Sequence, residues 1–383
     1  MQFSNVQAND FLDDELFDRL ERPSDQATTL PNAAYTDPRF LELERRKLFA
    51  RTWMLAGFEA QIPAPGDVTP TTIAGMPVLL LRDGQGRVRA FHNVCRHRGA
   101  TLVDAPCQGQ TRLVCPYHAW TYELDGRLRA RPHFEGAGRH GTTEEHWAGP
   151  GLVPLRFGVW HGFIFVNLDG QAPAFDEYMM PPNRLVGERN LSEMSYGGYI
   201  DFEFKANWKL VNENFFDVYH TFKIHPKLIE LSPLDTKRPP AVDGPCFWTS
   251  HRIVQPQEGR GKGLPFINGF PDREGLFFHL FPSVCINLWP DHVAVLQVEP
   301  IAPDLTLERL HIFFSPGAMD EQYAKMRQNT FDLWRELNAE DIAPLELMQR
   351  GRLSPGFDGG VLTRYWDDPL REFAKQVAEA VSA

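Results

Sequence analysis

Two short segments of the chain carry a cysteine followed closely by a histidine. Cys95 stands two positions before His97, and Cys115 stands three positions before His118, with 17 residues between His97 and Cys115. Thiolates and imidazoles both bind zinc, and both bind the irons of iron–sulfur clusters. The two pairs could therefore hold one tetrahedral zinc ion or a two-iron cluster.

A second group of residues with metal-binding side chains lies further along the chain. His220 and His225 are five residues apart, and Asp217 precedes His220 by three. Five residues turn a helix by about 500°, so the two histidines do not share a face of one continuous helix. Because Pro226 disfavours helical geometry at His225, a helix that ends between the histidines could bring both to one metal ion. Asp217 is predicted on the helical face of His220, where a carboxylate would orient that ring.

These motifs resemble those of the catalytic α subunits of Rieske non-haem iron oxygenases, over about residues 30–370. The resemblance implies that Cys95 and Cys115 ligate one iron of a Rieske 2Fe-2S cluster and that His97 and His118 ligate the other. Ala100 stands where respiratory Rieske proteins have an extra cysteine, which indicates the oxygenase type. A structural zinc ion is the alternative at this site.

The resemblance also implies a mononuclear Fe(II) bound by His220, His225 and a carboxylate from late in the chain. Such a facial triad leaves open positions for dioxygen. The late candidates are Glu340, Asp341, Glu346, Asp358, Asp367 and Asp368. Residues 340–351 are similar to the family's metal-binding helix, in which the acidic ligand corresponds to Asp341. We therefore predict Asp341 as the third ligand and keep Asp358 in reserve.

The composition excludes several classes of protein. The chain has 39 basic and 50 acidic residues, a formal net charge of −11 and a sequence pI near 5.6, and no basic run that would bind a nucleic acid. No apolar run approaches the roughly 18 residues that suggest a membrane span, and the acidic N-terminus is unlike a signal peptide. We therefore expect a cytoplasmic protein with neither nucleic-acid nor membrane partners.

The rest of the sequence predicts the elements that position these residues, in an α+β fold. An N-terminal arm and helix are predicted over residues 1–44, and short β-like runs predict a small all-β module over residues 45–165. Residues 166–383 are predicted to form the catalytic domain, with a helical pattern at 206–226, strands at 199–204, 276–289, 292–299 and 305–314, and helices at 320–350 and 369–381. The resemblance implies that this second domain is an antiparallel sheet of the helix-grip type, preceded by the Rieske module.

The electron supply and the oligomeric state follow from what the chain lacks and from the resemblance. The sequence has neither a Gly-x-Gly-x-x-Gly motif after a strand nor the cysteine spacing of a plant-type ferredoxin. Electrons from NAD(P)H must therefore come through a separate reductase, directly or by way of a ferredoxin. The resemblance implies a homotrimer, or a multiple of trimers, in which Asp217 links His220 to His118 of the partner subunit.

These inferences predict a terminal oxygenase that uses dioxygen to hydroxylate a small organic substrate. Aromatic residues could line a slot for a ring or a cage for a quaternary ammonium group. They are Phe247, Trp248, Phe266, Phe270, Phe277, Phe278, Phe281 and Trp289. Residues 356–360 resemble the ring-hydroxylating branch, so an aromatic substrate is favoured. A betaine-, choline- or carnitine-like compound is the alternative, and a non-enzymatic zinc-containing ligand-binding protein is a remote one.

Overall fold

A computed structural model describes residues 6–142, 149–252, 263–267, 274–357 and 359–383 of the chain. It divides the chain into two compact units. One unit joins Met1–Ala50 to Pro173–Ala383, and the other is Arg51–Ala172. The unit borders therefore fall six to seven residues later than the predicted domain borders after residues 44 and 165. Among the described residues, no helix has both the length and the apolar character that a membrane span requires.

The N-terminal residues form helices that belong to the same unit as the C-terminal half of the chain. These are α1 (Asp14–Leu20), α2 (Asn32–Thr36) and α3 (Pro38–Glu44), which continues as a π-helical turn over Arg45–Phe49. Asp37 caps α3, because its side chain accepts a hydrogen bond from the Arg39 N–H. Pro38 occupies the first helical position, where its missing N–H has no partner to lose.

The unit Arg51–Ala172 is built from short antiparallel strands, as predicted. Its strands are β1 (Met54–Phe58), β2 (Val68–Ile73), β3 (Met76–Arg82), β4 (Val88–His92), β5 (Arg112–Val114), β6 (Thr121–Glu123), β7 (Leu128–Arg131), β8 (Gly141–Thr142), β9 (Arg156–Trp160) and β10 (Phe163–Asn167). They form sheets in the orders β1-β10-β9, β2-β3-β4 and β5-β6-β7-β8. The buried core between the sheets includes Cys95, Cys115, Trp120 and Tyr122.

The larger unit contains one seven-stranded antiparallel sheet with helices. In chain order it has α4 (Phe175–Tyr178), α5 (Met180–Val186), β11 (Ser195–Phe204), α6 (Trp208–Phe216), α7 (Thr221–Ile224), α8 (Pro226–Leu231), β12 (Ala241–Asp243), β13 (Cys246–Arg252), β14 (Glu274–Leu280), β15 (Val284–Leu288), β16 (His292–Ala302), β17 (Leu305–Phe314), α9 (Ala324–Gly351) and α10 (Asp368–Ser382). The strand order is β11-β17-β16-β15-β14-β13-β12. The α+β prediction is confirmed.

Two predicted elements of this unit differ from the structure. The strand predicted over 276–289 is the hairpin β14–β15, with a turn at Phe281 and Pro282. Proline has no N–H for a sheet ladder, so it stands in the turn. The helical pattern predicted over 206–226 is three helices, α6 to α8, and the breaks between them place the residues of the candidate site.

Candidate metal centres and cavity

The two Cys–His loops adopt the same backbone conformation. In each loop, the N–H of the residue four positions after the cysteine donates to the cysteine carbonyl at 3.0 Å, from Gly99 to Cys95 and from Ala119 to Cys115. Both donating residues have a left-handed backbone, with φ of 75° at Gly99 and 54° at Ala119. The two segments thus share a backbone turn, although the histidine stands two positions after the cysteine in the first segment and three positions after it in the second.

The side chains of these loops divide into a buried pair and a more exposed pair. Cys95 and Cys115 are 2% and 3% exposed. The ring centroids of His97 and His118 are 4.7 Å apart, and the Nδ1 atom of His97 has no hydrogen-bond partner within the part of the chain that the structure describes. The Tyr122 hydroxyl lies 3.3 Å from the Cys95 sulfur, and burial raises the pKa of that thiol.

The spacing of these four side chains suits two metal ions better than one. A tetrahedral zinc ion would bring all four ligand atoms within about 3.8 Å of one another. Over the described residues, however, the only set of three or more His, Cys, Asp or Glu side chains whose ligand atoms lie within 4.8 Å of each other is His220, His225 and Asp341. The four residues of the Cys–His loops therefore do not converge on one point, as expected if the cysteines hold one iron and the histidines another.

The breaks between α6, α7 and α8 bring His220 and His225 together. The first helix ends at Phe216, and His220 is the residue that precedes α7. His225 stands between α7 and α8 with φ −114° and ψ 73°, which is not helical, and Pro226 follows it. The prediction that Pro226 turns His225 away from the helix is confirmed.

His220, His225 and Asp341 fit a single metal ion. The two Nε2 atoms are 3.1 Å apart, and Oδ1 of Asp341 lies 3.6 Å from Nε2 of His220 and 3.2 Å from that of His225. Ligand atoms about 2.1 Å from one ion are separated by roughly 3.0–3.4 Å. Oδ1 of Asp341 is buried and makes no hydrogen bond to any described residue. The donor set, two imidazoles and one carboxylate, is that of a facial triad for Fe(II).

Glu340 forms a hydrogen bond with His225 and is not one of the three candidate metal ligands. Its Oε2 lies 2.8 Å from Nδ1 of His225, so Nδ1 carries the proton and donates it to the carboxylate. The lone pair of His225 is then on Nε2, which faces Asp341. Burial lowers the pKa of His225, but the carboxylates of Asp341 and Glu340 raise it by more. The two carboxylates thus favour a cation at this point.

The other late carboxylates have different partners from those of His220 and His225, or lie outside the described residues. Asp367 accepts a hydrogen bond from the Thr363 N–H, and Asp368 accepts one from the Ser24 hydroxyl. Glu346 is half-buried on α9. Asp358, the reserve candidate, lies outside the described residues.

Asp217 is close to His220, but it does not share a helix with it as the sequence predicts. Asp217 has extended backbone geometry directly after α6. Its Oδ1 accepts hydrogen bonds from the backbone N–H groups of Tyr219, at 2.7 Å, and of His220, at 3.4 Å. Its Oδ2 lies 3.5 Å from Nδ1 of His220. The short polar side chain bonds the backbone two residues on, which favours a turn over a continuous helix.

A cavity of about 120 Å³ opens onto the three residues of the candidate metal site. Half of its lining residues are apolar or aromatic, and the other half are polar or charged. The aromatic side chains are Phe204, Phe215, Phe277, Trp289 and Trp334, and the polar ones beyond the metal site include Asn214, Thr249, His251, Asn287, Glu308 and Asn338.

The sequence predicts only part of this lining. Phe277 and Trp289 are in the wall, as proposed, whereas Phe247 and Phe278 are fully buried elsewhere and Trp248 faces a second cavity. Phe281 is buried outside this lining, Phe266 is half exposed, and Phe270 lies outside the described residues.

Glu308 is the functional candidate that sequence reasoning missed. It is 4% exposed, and its carboxylate accepts a hydrogen bond from the side-chain amide of Asn338. Burial and the charge of Asp341 raise the pKa of Glu308 to about 8, against the smaller opposite effect of Asn338. The signal was in the sequence, because Glu308 occupies the alternating positions of β17 that otherwise carry Leu310 and Ile312.

Comparisons with known proteins agree with this division of sites. Residues 52–140 match the family described as Rieske 2Fe-2S domain, and residues 191–383 match the family described as ring hydroxylating alpha subunit, catalytic domain. The chain is 35% identical over 398 residues to the glycine betaine monooxygenase oxygenase subunit of Pseudomonas aeruginosa, covering 94% of this chain and 90% of the relative.

Solved structures show the same fold. A quaternary ammonium Rieske monooxygenase, whose structure concerns carnitine oxidation by gut microbiota, superposes with a TM-score of 0.82 at 23% identity, covering 95% of this chain and 98% of that one. A naphthalene 1,2-dioxygenase from a Rhodococcus species bound to indole superposes with a TM-score of 0.75 at 20% identity, covering 97% and 99%. The fold alone therefore does not separate an aromatic substrate from a quaternary ammonium one.

Proposed function

The chain belongs to the catalytic subunits of the Rieske oxygenases, and from this premise we propose that it is a terminal oxygenase acting on a quaternary ammonium compound. Enzymes of this family carry a Rieske 2Fe-2S cluster and a mononuclear iron, and they receive electrons from NAD(P)H through a separate reductase. The observation that carries the choice of substrate is the 35% identity, over 94% of the chain, to a glycine betaine monooxygenase subunit. It supports the quaternary ammonium alternative better than the aromatic substrate that residues 356–360 favour.

The ligand assignments are part of the proposal. Cys95 and Cys115 would hold one iron of the cluster, and His97 and His118 the other. The mononuclear iron would be held by His220, His225 and Asp341, whose ligand atoms lie 3.1–3.6 Å apart. This iron supplies the activation of dioxygen when it is bound.

The cavity wall is suited to a quaternary ammonium group. Such a group has no N–H, so a protein recognises it by aromatic faces and negative charge rather than by hydrogen bonds. The indole of Trp334, a wall residue, donates from Nε1 to Nε2 of His292 at 2.9 Å, and His292 donates from Nδ1 to Asp291 at 2.7 Å. This buried chain of hydrogen bonds fixes the Trp334 ring in place at the cavity.

The proposed reaction inserts one oxygen atom into an N-methyl C–H bond. The balance is R–N⁺(CH3)3 + O2 + 2 e⁻ + 2 H⁺ → R–N⁺(CH3)2–CH2OH + H2O, with both electrons supplied by the reductase. The hydroxymethyl product then breaks its C–N bond to give R–NH⁺(CH3)2 and formaldehyde. The chain's part is to bind the cation, to place one methyl group at the metal site and to exclude bulk water with the apolar wall.

We further propose that the protein works as a trimer in which Asp217 connects the two metal centres of neighbouring subunits. The carboxylate of Asp217 lies 3.5 Å from Nδ1 of His220 and is 26% exposed, so it can also reach a group on another molecule. Tyr219 and Phe222 follow Asp217 closely in the chain, and their aromatic side chains are 47% and 51% exposed. Tyr117, beside His118 in the Rieske unit, is 59% exposed.

The proposed function is tested by substrate-dependent oxygen uptake. The iron-loaded protein, with a surrogate reductase and NADH, is offered glycine betaine, carnitine, choline, benzoate and anthranilate, and formaldehyde is measured. We expect oxygen uptake with stoichiometric formaldehyde for at least one quaternary ammonium compound. Turnover of the aromatic acids alone would overturn the proposal and restore the aromatic interpretation.

A further inference from the structure

The floor of the cavity carries two polar side chains at different positions on one face of the sheet. Asn287 on β15 pairs with Ala294 on β16, which pairs with Ile312 on β17. Glu308 lies four residues before Ile312, so it points to the same face, and both Asn287 and Glu308 line the cavity. From ordinary strand spacings, the Cα atoms of Asn287 and Glu308 are roughly 16 Å apart.

Glu308 marks the end of the cavity that lies near the metal site. Asn338, which donates to its carboxylate, stands one helical turn before Asp341 on α9, and the charge of Asp341 acts on Glu308. Among the described residues, no lysine, arginine or histidine forms an ion pair with Glu308. A buried carboxylate without a cationic partner is unfavourable as an anion, so it stays protonated until a cation enters the cavity beside it.

Asn287 marks the other end. It is 2% exposed, and within the described part of the chain its Nδ2 has no hydrogen-bond acceptor. Nearly all buried amide groups in proteins find a partner, so an unpartnered one that lines a cavity indicates an acceptor on the ligand. The neighbours of Asn287 on the floor, Ala294 and Ile312, are apolar and offer none.

We propose that the cavity selects a zwitterionic betaine and binds it in one orientation, with the ammonium group beside Glu308 and a carboxylate oxygen accepting a hydrogen bond from Asn287. This inference rests on the proposed function and deepens it. The orientation places the N-methyl groups, rather than the carbon chain, at His220, His225 and Asp341. Oxygen insertion then follows the N-methyl balance given above, and the product is a dimethylamino acid with formaldehyde.

The inference is tested by binding three probes that separate the two charges. Glycine betaine has both the ammonium and the carboxylate, and tetramethylammonium has the cation alone. 3,3-Dimethylbutyrate keeps the carboxylate and has a neutral tert-butyl group in place of the ammonium. Dissociation constants are measured by calorimetry on the iron-loaded protein, for wild type, Glu308→Gln and Asn287→Leu. Both substitutions nearly conserve side-chain volume, and the absorbance of the Rieske cluster and circular dichroism confirm that each variant is folded.

We expect a crossed pattern of losses. Glu308→Gln should weaken the binding of glycine betaine and tetramethylammonium by about tenfold or more. It should change the dissociation constant of 3,3-dimethylbutyrate by less than about a factor of two. Asn287→Leu should weaken the binding of glycine betaine and 3,3-dimethylbutyrate by a similar factor and leave the binding of tetramethylammonium unchanged. Asp201→Asn is the matched control, because Asp201 is a carboxylate of the same sheet that pairs with Arg309 on the opposite face.

The outcomes of these binding experiments distinguish a failure of this inference from a failure of the proposed function. If wild type binds glycine betaine but either variant weakens all three probes equally, or none, the orientation is wrong and the proposed function stands. If wild type binds neither quaternary probe and consumes none of glycine betaine, carnitine and choline, both the orientation and the proposed function are wrong. A product other than formaldehyde from a substrate that does bind would also overturn the orientation.

Discussion

The Nδ1 atom of His225 lies 2.8 Å from Oε2 of Glu340, and the adjacent residue on α9, Asp341, has its Oδ1 3.2 Å from Nε2 of the same ring. Two consecutive carboxylates of one helix therefore lie beside the two nitrogens of one imidazole. Glu340 fixes which nitrogen carries the proton, and Asp341 stands beside the nitrogen that is left with the lone pair. The two residues divide the work of orienting a ligand and of binding a metal ion.

This relationship predicts that Glu340→Ala weakens the mononuclear iron site without removing a ligand. We expect about a 10- to 100-fold loss of iron affinity, measured by titrating iron into chelator-treated protein while the Rieske absorbance stays constant. The iron affinity of Glu340→Gln, whose side chain can still accept a hydrogen bond from Nδ1, should lie between that of Glu340→Ala and that of wild type. Glu336→Gln is the control, since Glu336 lies one turn earlier on α9 and binds Lys227 at the surface. Iron affinity equal to wild type in Glu340→Ala would show that the hydrogen bond does not matter.

Removal of any one of His220, His225 and Asp341 should abolish the mononuclear iron. We expect each alanine variant to lose that iron in metal analysis and to keep the visible spectrum of the Rieske cluster, because the cluster is bound by residues of the other unit. Asp341→Ala with full iron content and activity would disprove the carboxylate assignment and direct attention to Asp358.

The Cys–His loops predict a two-iron cluster rather than a zinc ion. Purified protein should contain acid-labile sulfide with two irons per chain in addition to the mononuclear iron, and little zinc. His97→Cys replaces a neutral ligand by a thiolate, so any cluster that still assembles should have a lower reduction potential than that of wild type. Zinc without acid-labile sulfide would contradict the assignment of all four ligands.

The extent to which the sequence predicts these sites depends on how local each feature is. The Cys–His loops are predicted well because each is a short segment whose backbone hydrogen bonds close within itself, as between Gly99 and Cys95. Asp341 was found only through resemblance, since no local rule places a residue of α9 beside His225. Glu308 and Asn287 were missed because the cavity floor is made by pairing β15, β16 and β17, and that register is a property of the folded sheet.

The breaks between α6, α7 and α8 also show where prediction from the local sequence fails. The sequence predicts one helical pattern around Asp217, but the side chain of Asp217 bonds the backbone N–H of Tyr219 and ends the helix. Helix propensity and this local hydrogen bond compete, and the side-chain bond wins directly after α6. Pro226, by contrast, acts through a steric rule that holds in any context, so its effect on His225 was predicted.

Removing one partner of the buried ion pair between α6 and α3 should lower stability, because the other partner would be left unpaired. The ammonium group of Lys209 lies 2.6 Å from Glu44, and both side chains are fully buried. Lys209→Met would leave Glu44 as an unpaired buried charge, and we expect it to lower the free energy of unfolding by about 3–5 kcal/mol. Adding Glu44→Gln should restore part of the loss. The comparison is made by chemical denaturation, following the total tryptophan fluorescence and circular dichroism.

The role of Asp217 in electron transfer can be separated from its role in the fold. Its Oδ1 accepts the backbone hydrogen bonds of Tyr219 and His220, whereas Oδ2 lies near Nδ1 of His220. Asp217→Asn keeps a carbonyl oxygen for the backbone bonds and removes the charge beside the imidazole. The local turn should therefore survive, and both metals should remain bound.

If Asp217 connects His220 to His118 of the partner subunit, Asp217→Asn should slow the oxidation of the Rieske cluster by about 10- to 100-fold. Single-turnover mixing of reduced protein with substrate and oxygen measures this rate from the change in visible absorbance. Asp37→Asn is the control, because the Asp37 carboxylate also accepts a hydrogen bond from a backbone N–H two residues later but lies at the start of α3. An ordinary surface carboxylate would change stability by less than about 0.5 kcal/mol and leave the rate alone. Unchanged oxidation in Asp217→Asn, with the trimer intact by sedimentation, would refute the connecting role while leaving the metal ligands as assigned.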